Sequence, residues 1–108
     1  MLAHRLRHRV QIHSLTVSID SDTGAQTETW GVVDGSVPAE ILPLNGRELI
    51  AAQAIQSAIN SKIIIRHRSD LTESMRLVND SIIYDIKAIL PDPTLRRYLV
   101  LMCEGRNG

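Results

Sequence analysis

Residues Leu6-Arg7-His8-Arg9-Val10-Gln11-Ile12-His13 alternate, with Leu6, Val10 and Ile12 on one side and Arg5, Arg7, Arg9, Gln11 and His13 on the other. A period of two is the signature of a strand with one buried face. A helix would instead gather Leu2, Leu6 and Val10 at four-residue spacing, but strict alternation and the β-branched residues further along favour β structure. The pattern returns at Lys62–Arg68, where Lys62, Ile64, Arg66 and Arg68 alternate with Ile63, Ile65 and His67. Two such segments far apart in the chain predict a sheet built from non-local pairings.

Between them, Leu15–Ile19 reads as a weaker strand, Ser21-Asp22-Thr23-Gly24 as a cluster of turn formers, and Gln26–Val33 as a returning strand. Ser14–Ser36 is therefore a hairpin or a long mobile loop. Asp34-Gly35-Ser36 predicts a break, and Val37–Leu42 a short strand ended by Pro43, which has no N–H for a ladder. One helix is expected within Gly46–Asn60. Asn45 stands three residues before Glu48 in the manner of a capping box, and Arg47–Ile59 is rich in helix formers, with Ala51, Ala52, Ile55, Ala58 and Ile59 as the expected inward stripe.

Strands are expected again at Met75–Val78 and Ile82–Leu90 about an Asn79-Asp80 turn. Pro91-Asp92-Pro93 then makes a rigid turn before a last strand, Arg96–Glu104, and a Gly-Arg-Asn-Gly tail. The expected fold is mainly β: a small antiparallel β-barrel or sandwich with one inserted α-helix and a long mobile loop, forming a single domain over residues 1–108. Its core should hold Val10, Ile12, Ile41, Ile63, Ile65, Leu77, Ile86, Leu99 and Leu101.

The 108 residues are 44% hydrophobic and 22% charged, proportions of an ordinary folded domain, and 12 basic residues balance 12 acidic ones. Zero net charge disfavours a strongly basic nucleic-acid-binding domain. A lone Cys103 excludes an internal disulfide framework and a thiolate metal cluster. Trp30, Tyr84 and Tyr98 are the only aromatic residues, too few for a base-stacking platform. With no apolar run of bilayer length and no apolar N-terminal signal, the expectation is a soluble protein made in the cytoplasm, with no membrane partner.

No nucleophile elbow, phosphate-cradling glycine loop or paired metal ligands occur, so neither catalysis nor a cofactor is expected. His4 and His8 have helical metal spacing but fall in an expected strand. Asp20-Ser21-Asp22-Thr23-Gly24 begins like a calcium loop, yet Ala25 and Gly31 occupy the positions that need Gly and Glu, so a turn is the better reading. Asp70, Glu73 and Asp85 have no sequence feature that fixes them at one acid/base site. Charge is nevertheless segregated. The first thirteen residues contain Arg5, Arg7 and Arg9 without one acid, whereas residues 20–48 hold six acids against Arg47 alone. The basic region of one copy could therefore meet the acidic region of the next, head to tail, and close a ring; the plainer alternative is two solvated faces.

At Pro43-Leu44-Asn45-Gly46-Arg47-Glu48 the chain resembles the phage head–tail joining family, also called head-closure or stopper proteins. The resemblance extends to the LRHRVQI opening, the turn from Asp20 or Asp22 to Gly24 followed by Trp30, the AEILPLNGREL segment, KIIIRHR, Met75-Arg76-Leu77, Tyr84-Asp85-Ile86 and RRYLVLMCE. The chain departs from the family pattern at Val37-Pro38, where a tryptophan is common, and at Asn79-Asp80-Ser81, where the turn usually contains glycine. The resemblance implies a structural virion protein without enzymatic turnover, made in a bacterial host. It further implies a ring homo-oligomer between the portal or adaptor protein and the tail-terminator or another tail protein, at the portal vertex. There it would help retain packaged double-stranded DNA through non-specific contacts. Arg5, Arg7, Arg9, Arg47, Glu48, Arg66 and Arg68 are the candidate assembly or DNA-channel residues. A small OB-like barrel that binds nucleic acid in solution is the alternative function.

Overall fold

The computed structural model describes residues 6–91 and 97–108. Its strands are β1 (His8–Ile19), β2 (Gln26–Pro43), β3 (Ser61–Arg66), β4 (Arg76–Asn79), β5 (Ile82–Pro91) and β6 (Tyr98–Asn107), with one helix, α1 (Gly46–Ile55), between β2 and β3. All pairings are antiparallel, and the order β1-β2-β3-β6-β5-β4 closes on itself as β4 returns to β1. Of the two architectures open to the sequence, the barrel is the one formed. Closure pairs the β1 and β4 edges that an open sheet would expose.

The barrel interior is aliphatic, as the lack of Phe requires. Val10, Ile12, Ile63, Ile65, Leu77, Ile86, Leu99 and Leu101 are all buried together, joined by Val37, Ala39, Tyr84 and Cys103, while Ile41 is only partly buried against them. A second cluster lies where α1 covers the outside of the wall. Leu44, Ala52, Ile59 and Met102 are buried there, with Leu49, Ala88 and Val100 packed against them.

Several boundaries differ from those expected. The first two short strands are one continuous β1, and β2 runs straight through Asp34-Gly35-Ser36. Between Val10↔Val37 and Ile12↔Asp34 β1 advances two residues and β2 three; by His13↔Val32 β2 has gained another. The expected break is thus a pair of bulges, which absorb surplus residues without ending a strand. Ser14–Ser36 takes the hairpin form of the two allowed, with pairing out to Ile19↔Gln26. The C-terminal tail is strand as well, since Asn107, Arg106 and Gly105 pair with Ile82, Ile83 and Tyr84. Gly105 suits this place because a Cβ there would lie 2.9 Å from the Tyr84 ring.

The helix ends earlier and buries less than expected. Asn45 is the N-cap residue in extended conformation but makes no side-chain capping bond, and Glu48 pairs with Lys62 of β3 instead. Of the expected inward stripe, Ala52 and Ile59 are buried, Ala58 is partly so, and Ala51 and Ile55 face solvent. At the β4–β5 turn Asp80 has φ +53°, the left-handed conformation that short polar side chains tolerate in place of glycine. The Pro91-Asp92-Pro93 turn lies largely outside the described residues.

Since Ile65 is wholly buried, Ile65→Ala should cost about 2–5 kcal/mol of unfolding free energy. Ile50→Ala, at a side chain 71% exposed, should change it by no more than about 0.5 kcal/mol. Paired urea titrations check both, and a loss below about 1 kcal/mol for Ile65→Ala would contradict the assigned core.

Candidate assembly surface

The sequence-derived candidates do not form one cluster. Arg9 and Arg66 are exposed on the outside of the wall, because Val10 on β1 and Ile65 on β3 point inward and alternation turns their neighbours outward. Arg9 is registered against Pro38, and Ala39 against Ile65, so Arg9, Pro38 and Arg66 follow one another across β1, β2 and β3. Pro38, Arg66, His67 and Arg68 share a shallow groove with Asp34 and Ser36. Arg7 is exposed just before β1, Arg47 is exposed in the first turn of α1, and Arg5 lies outside the described residues.

Two of the candidates already have work inside the subunit. Arg68 donates from Nε and Nη2 to the two carboxylate oxygens of Asp70 at 2.7 and 2.9 Å, and from Nη1 to Asp34 Oδ2 at 3.1 Å. Its planar fork therefore ties the bulged part of β2 to the segment after β3. Bonds from the Ser36 N–H and Arg68 hold the Asp34 carboxyl below its ordinary pKa of 3.8, Arg68 does the same for Asp70, and the arginine itself is raised. Glu48 is engaged by Lys62.

Beyond His13, β1 no longer pairs with β4, and β2 pairs with β3 only from Ala39 onward, so among the described residues Ser14–Ile19 and Gln26–Gly31 pair solely with each other. They form a two-stranded ribbon projecting from the barrel, in a molecule of 53 × 28 × 26 Å. Its tip is a tight turn in which the Asp20 N–H bonds Ala25 O, the Asp22 N–H bonds Asp20 Oδ1, and Gly24 takes φ +73°. At the base, the Arg76 guanidinium from β4 stacks 4.0 Å from the centroid of Trp30. Desolvation, followed by the Arg76 charge, lowers the pKa of nearby His13. Sequence reasoning missed Arg76, whose role depends on the β1–β4 closure.

Two of the acids weighed for acid/base work are engaged separately. Asp70 is held by Arg68 and Asp85 by Arg106 at 2.9 Å, two different arginines on different elements. Among the described residues no three His, Cys, Asp or Glu side chains gather as metal ligands. Burial pushes the Cys103 thiol up to about 12, leaving negligible thiolate at neutral pH. Tyr84 and Tyr98 are buried and Trp30 is covered by Arg76, so these rings offer no open platform for bases.

The family model for the phage head completion protein matches residues 1–106. Head completion protein gp7 of Enterobacteria phage HK97 is 36% identical over 73 residues, 68% of this chain and 63% of that protein's length. The chain thus matches somewhat under two thirds of that relative. A solution structure of a Shigella flexneri 2a protein superposes with a TM-score of 0.76 at 30% identity, covering all of this chain and 97% of the other. A chain in the virion of a native gene transfer agent particle shares the fold, with a TM-score of 0.62 at 14% identity over 94% of this chain and 96% of its own.

The Arg68 clamp has a definite pH signature. Asp34 and Asp70 titrate below 3.8 in the folded chain, so their contribution is fully present above the unfolded carboxylate pKa and is lost as pH falls through the lower folded values. Arg68→Met should lower stability by about 1 kcal/mol at neutral pH, a modest figure because the pairs are partly solvated. The gap between variant and parent should narrow below pH 3.8, which urea titrations across that range would reveal; a constant gap would mean packing of the arginine stem alone.

Proposed function

The chain belongs to the phage head completion protein family, whose members are structural proteins of the virion, and from that premise we propose that it is a subunit of a homo-oligomeric ring joining portal or adaptor to tail. In this reading the ring helps retain packaged double-stranded DNA and performs no catalysis. The observation that carries it is the shape of the subunit: a closed barrel that bears a projecting, acidic ribbon and an exposed arginine row on a different part of its surface.

A ring requires two unlike surfaces on each copy, because a contact that repeats by rotation joins one patch to a different one. Asp20, Asp22 and Glu28 populate the ribbon, and from residue 14 to 46 the chain has no Lys or Arg at all. Arg9 and Arg66, on the wall, supply the opposite sign. Their guanidinium groups suit either a neighbouring subunit's carboxylates or DNA phosphates, which they would bind without reading sequence. Arg68 is less suited to either role because its donors are already committed to Asp34 and Asp70.

Replacement of Arg9 and Arg66 by Glu should leave the melting temperature of the isolated subunit nearly unchanged, since solvated charges contribute little to stability. The same double variant, supplied to a host producing particles that lack this protein, should reduce completed DNA-containing particles severalfold. Normal particle numbers would reduce the arginine row to solvated surface. Hydrogen exchange supplies a second check: Ser14–Ile19 and Gln26–Gly31 should exchange quickly in the free subunit, where the ribbon has two strands only, and slowly in the assembled ring.

A further inference from the structure

Hydrophobic alternation along β1 inverts at the barrel rim. Val10 and Ile12, at even positions, point into the core, whereas beyond the rim the apolar residues are Leu15, Val17 and Ile19, at odd positions. Both bulge residues lie in β2, so β1 keeps its alternation, and these three side chains continue the outer face of the wall. Their cross-strand partners place Trp30 opposite Leu15, Glu28 opposite Val17 and Val32 opposite His13 on that face. The reverse face carries Ser14, Thr16, Ser18, Thr27, Thr29 and Gly31. The ribbon is therefore apolar on the side that its own core cannot cover, with Val17, Ile19 and Val32 exposed at 49%, 66% and 60%.

The helix carries a matching surplus. Leu49 and Ala52 face the barrel, while Arg47, Ile50, Ala51, Ala54 and Ile55, spaced i, i+3, i+4, i+7 and i+8, make one exposed stripe on the other side. Ile50 and Ile55 are the most exposed large apolar side chains on the helix. At the head of the stripe, Arg47 makes no ion pair among the described residues, and neither does Glu28 in the apolar face of the ribbon. Each surface is mainly apolar; Glu28 and Arg47, neither ion-paired among the described residues, carry opposite charges, while at the ribbon base the Arg76 guanidinium lies over Trp30.

We propose that the apolar face of the ribbon of one copy lies on the exposed stripe of α1 of the next copy, with Glu28 meeting Arg47. This rests on the ring reading above and names its contact. It is heterologous, as closure of a ring requires, and it buries on both copies apolar surface that the isolated subunit leaves in water. Like charge at the junction opposes association, and reversal of both charges restores the pair.

The test is reciprocal charge reversal in particles that depend on this chain. Glu28→Arg and Arg47→Glu should each lower completed particles about tenfold, and the double variant should recover to within about threefold of the parent, the coupling expected of one pair. Unchanged melting of each isolated variant separates assembly from folding. In parallel, Val17→Cys subunits mixed with Ile55→Cys subunits should join through a short bis-maleimide in disrupted particles, and neither should join to itself; buried Cys103 does not compete.

If the double variant is as defective as the two single losses multiplied, the contact is wrong. It is equally wrong if Val17→Cys links to itself, which would indicate a symmetric ribbon pair, or if only the ribbon variants fail, which would assign the ribbon to another virion protein. Native mass spectrometry of disrupted particles separates these failures from failure of the ring itself. A ring without the cross-link rejects this contact alone, whereas particles with no oligomer of the chain reject both.

Discussion

The structure depends on β1 serving two neighbours for only a short distance. Val10 and Ile12 bring β1 against β2, and the stretch Gln11–His13 also pairs with β4 to close the barrel. Closure lets a core made of Ile, Leu and Val seal without a single Phe, because the wall surrounds it on every side and leaves no open sheet edge to be covered. Past His13 the wall ends, and the same strand continues into water as a ribbon. One strand thus runs from a stretch paired on both sides into one paired on a single side.

That division shapes the surface chemistry. Inside the barrel region, arginines act as struts: Arg68 fixes the bulged β2 to the segment after β3, Arg106 ties β6 to β5 through Asp85, and Arg76 steadies the ribbon base through Trp30. Arg9, Arg47 and Arg66 remain directed outward. A basic residue in such a chain therefore says little until its neighbours are known. The distinction matters for a virion protein, because loss of a strut weakens the subunit, while loss of an outward arginine alters association.

The ribbon would be a poor feature in a solitary protein. A two-stranded hairpin is marginal in water, and exposed valines and isoleucines on one of its faces add an association hazard. In a subunit destined for a closed assembly the same properties are useful, since order and burial arrive together when the neighbour does. Family membership and this geometry converge on a structural role in the particle.

Much was legible in the chain itself, because period-two patterning reports burial directly. It identified the strands that line the barrel and eight of the twelve residues buried in its core, and Pro43 and the Ala-rich segment after it located the helix. Local charge, likewise, was visible as an acid-free beginning followed by an acidic stretch. Three features were decided by tertiary structure. Asp34-Gly35-Ser36 continued as strand because β1 supplied a partner across the bulges; Glu48 came to pair with Lys62, 14 residues away; and Arg68, already bound to Asp70 two residues on, also reached Asp34, 34 residues away. Alternation and turn chemistry are properties of neighbours in sequence, which any reading of the chain can find, whereas the partner of a bulge, a carboxylate or a guanidinium is chosen by strand register, which exists only once the barrel has closed.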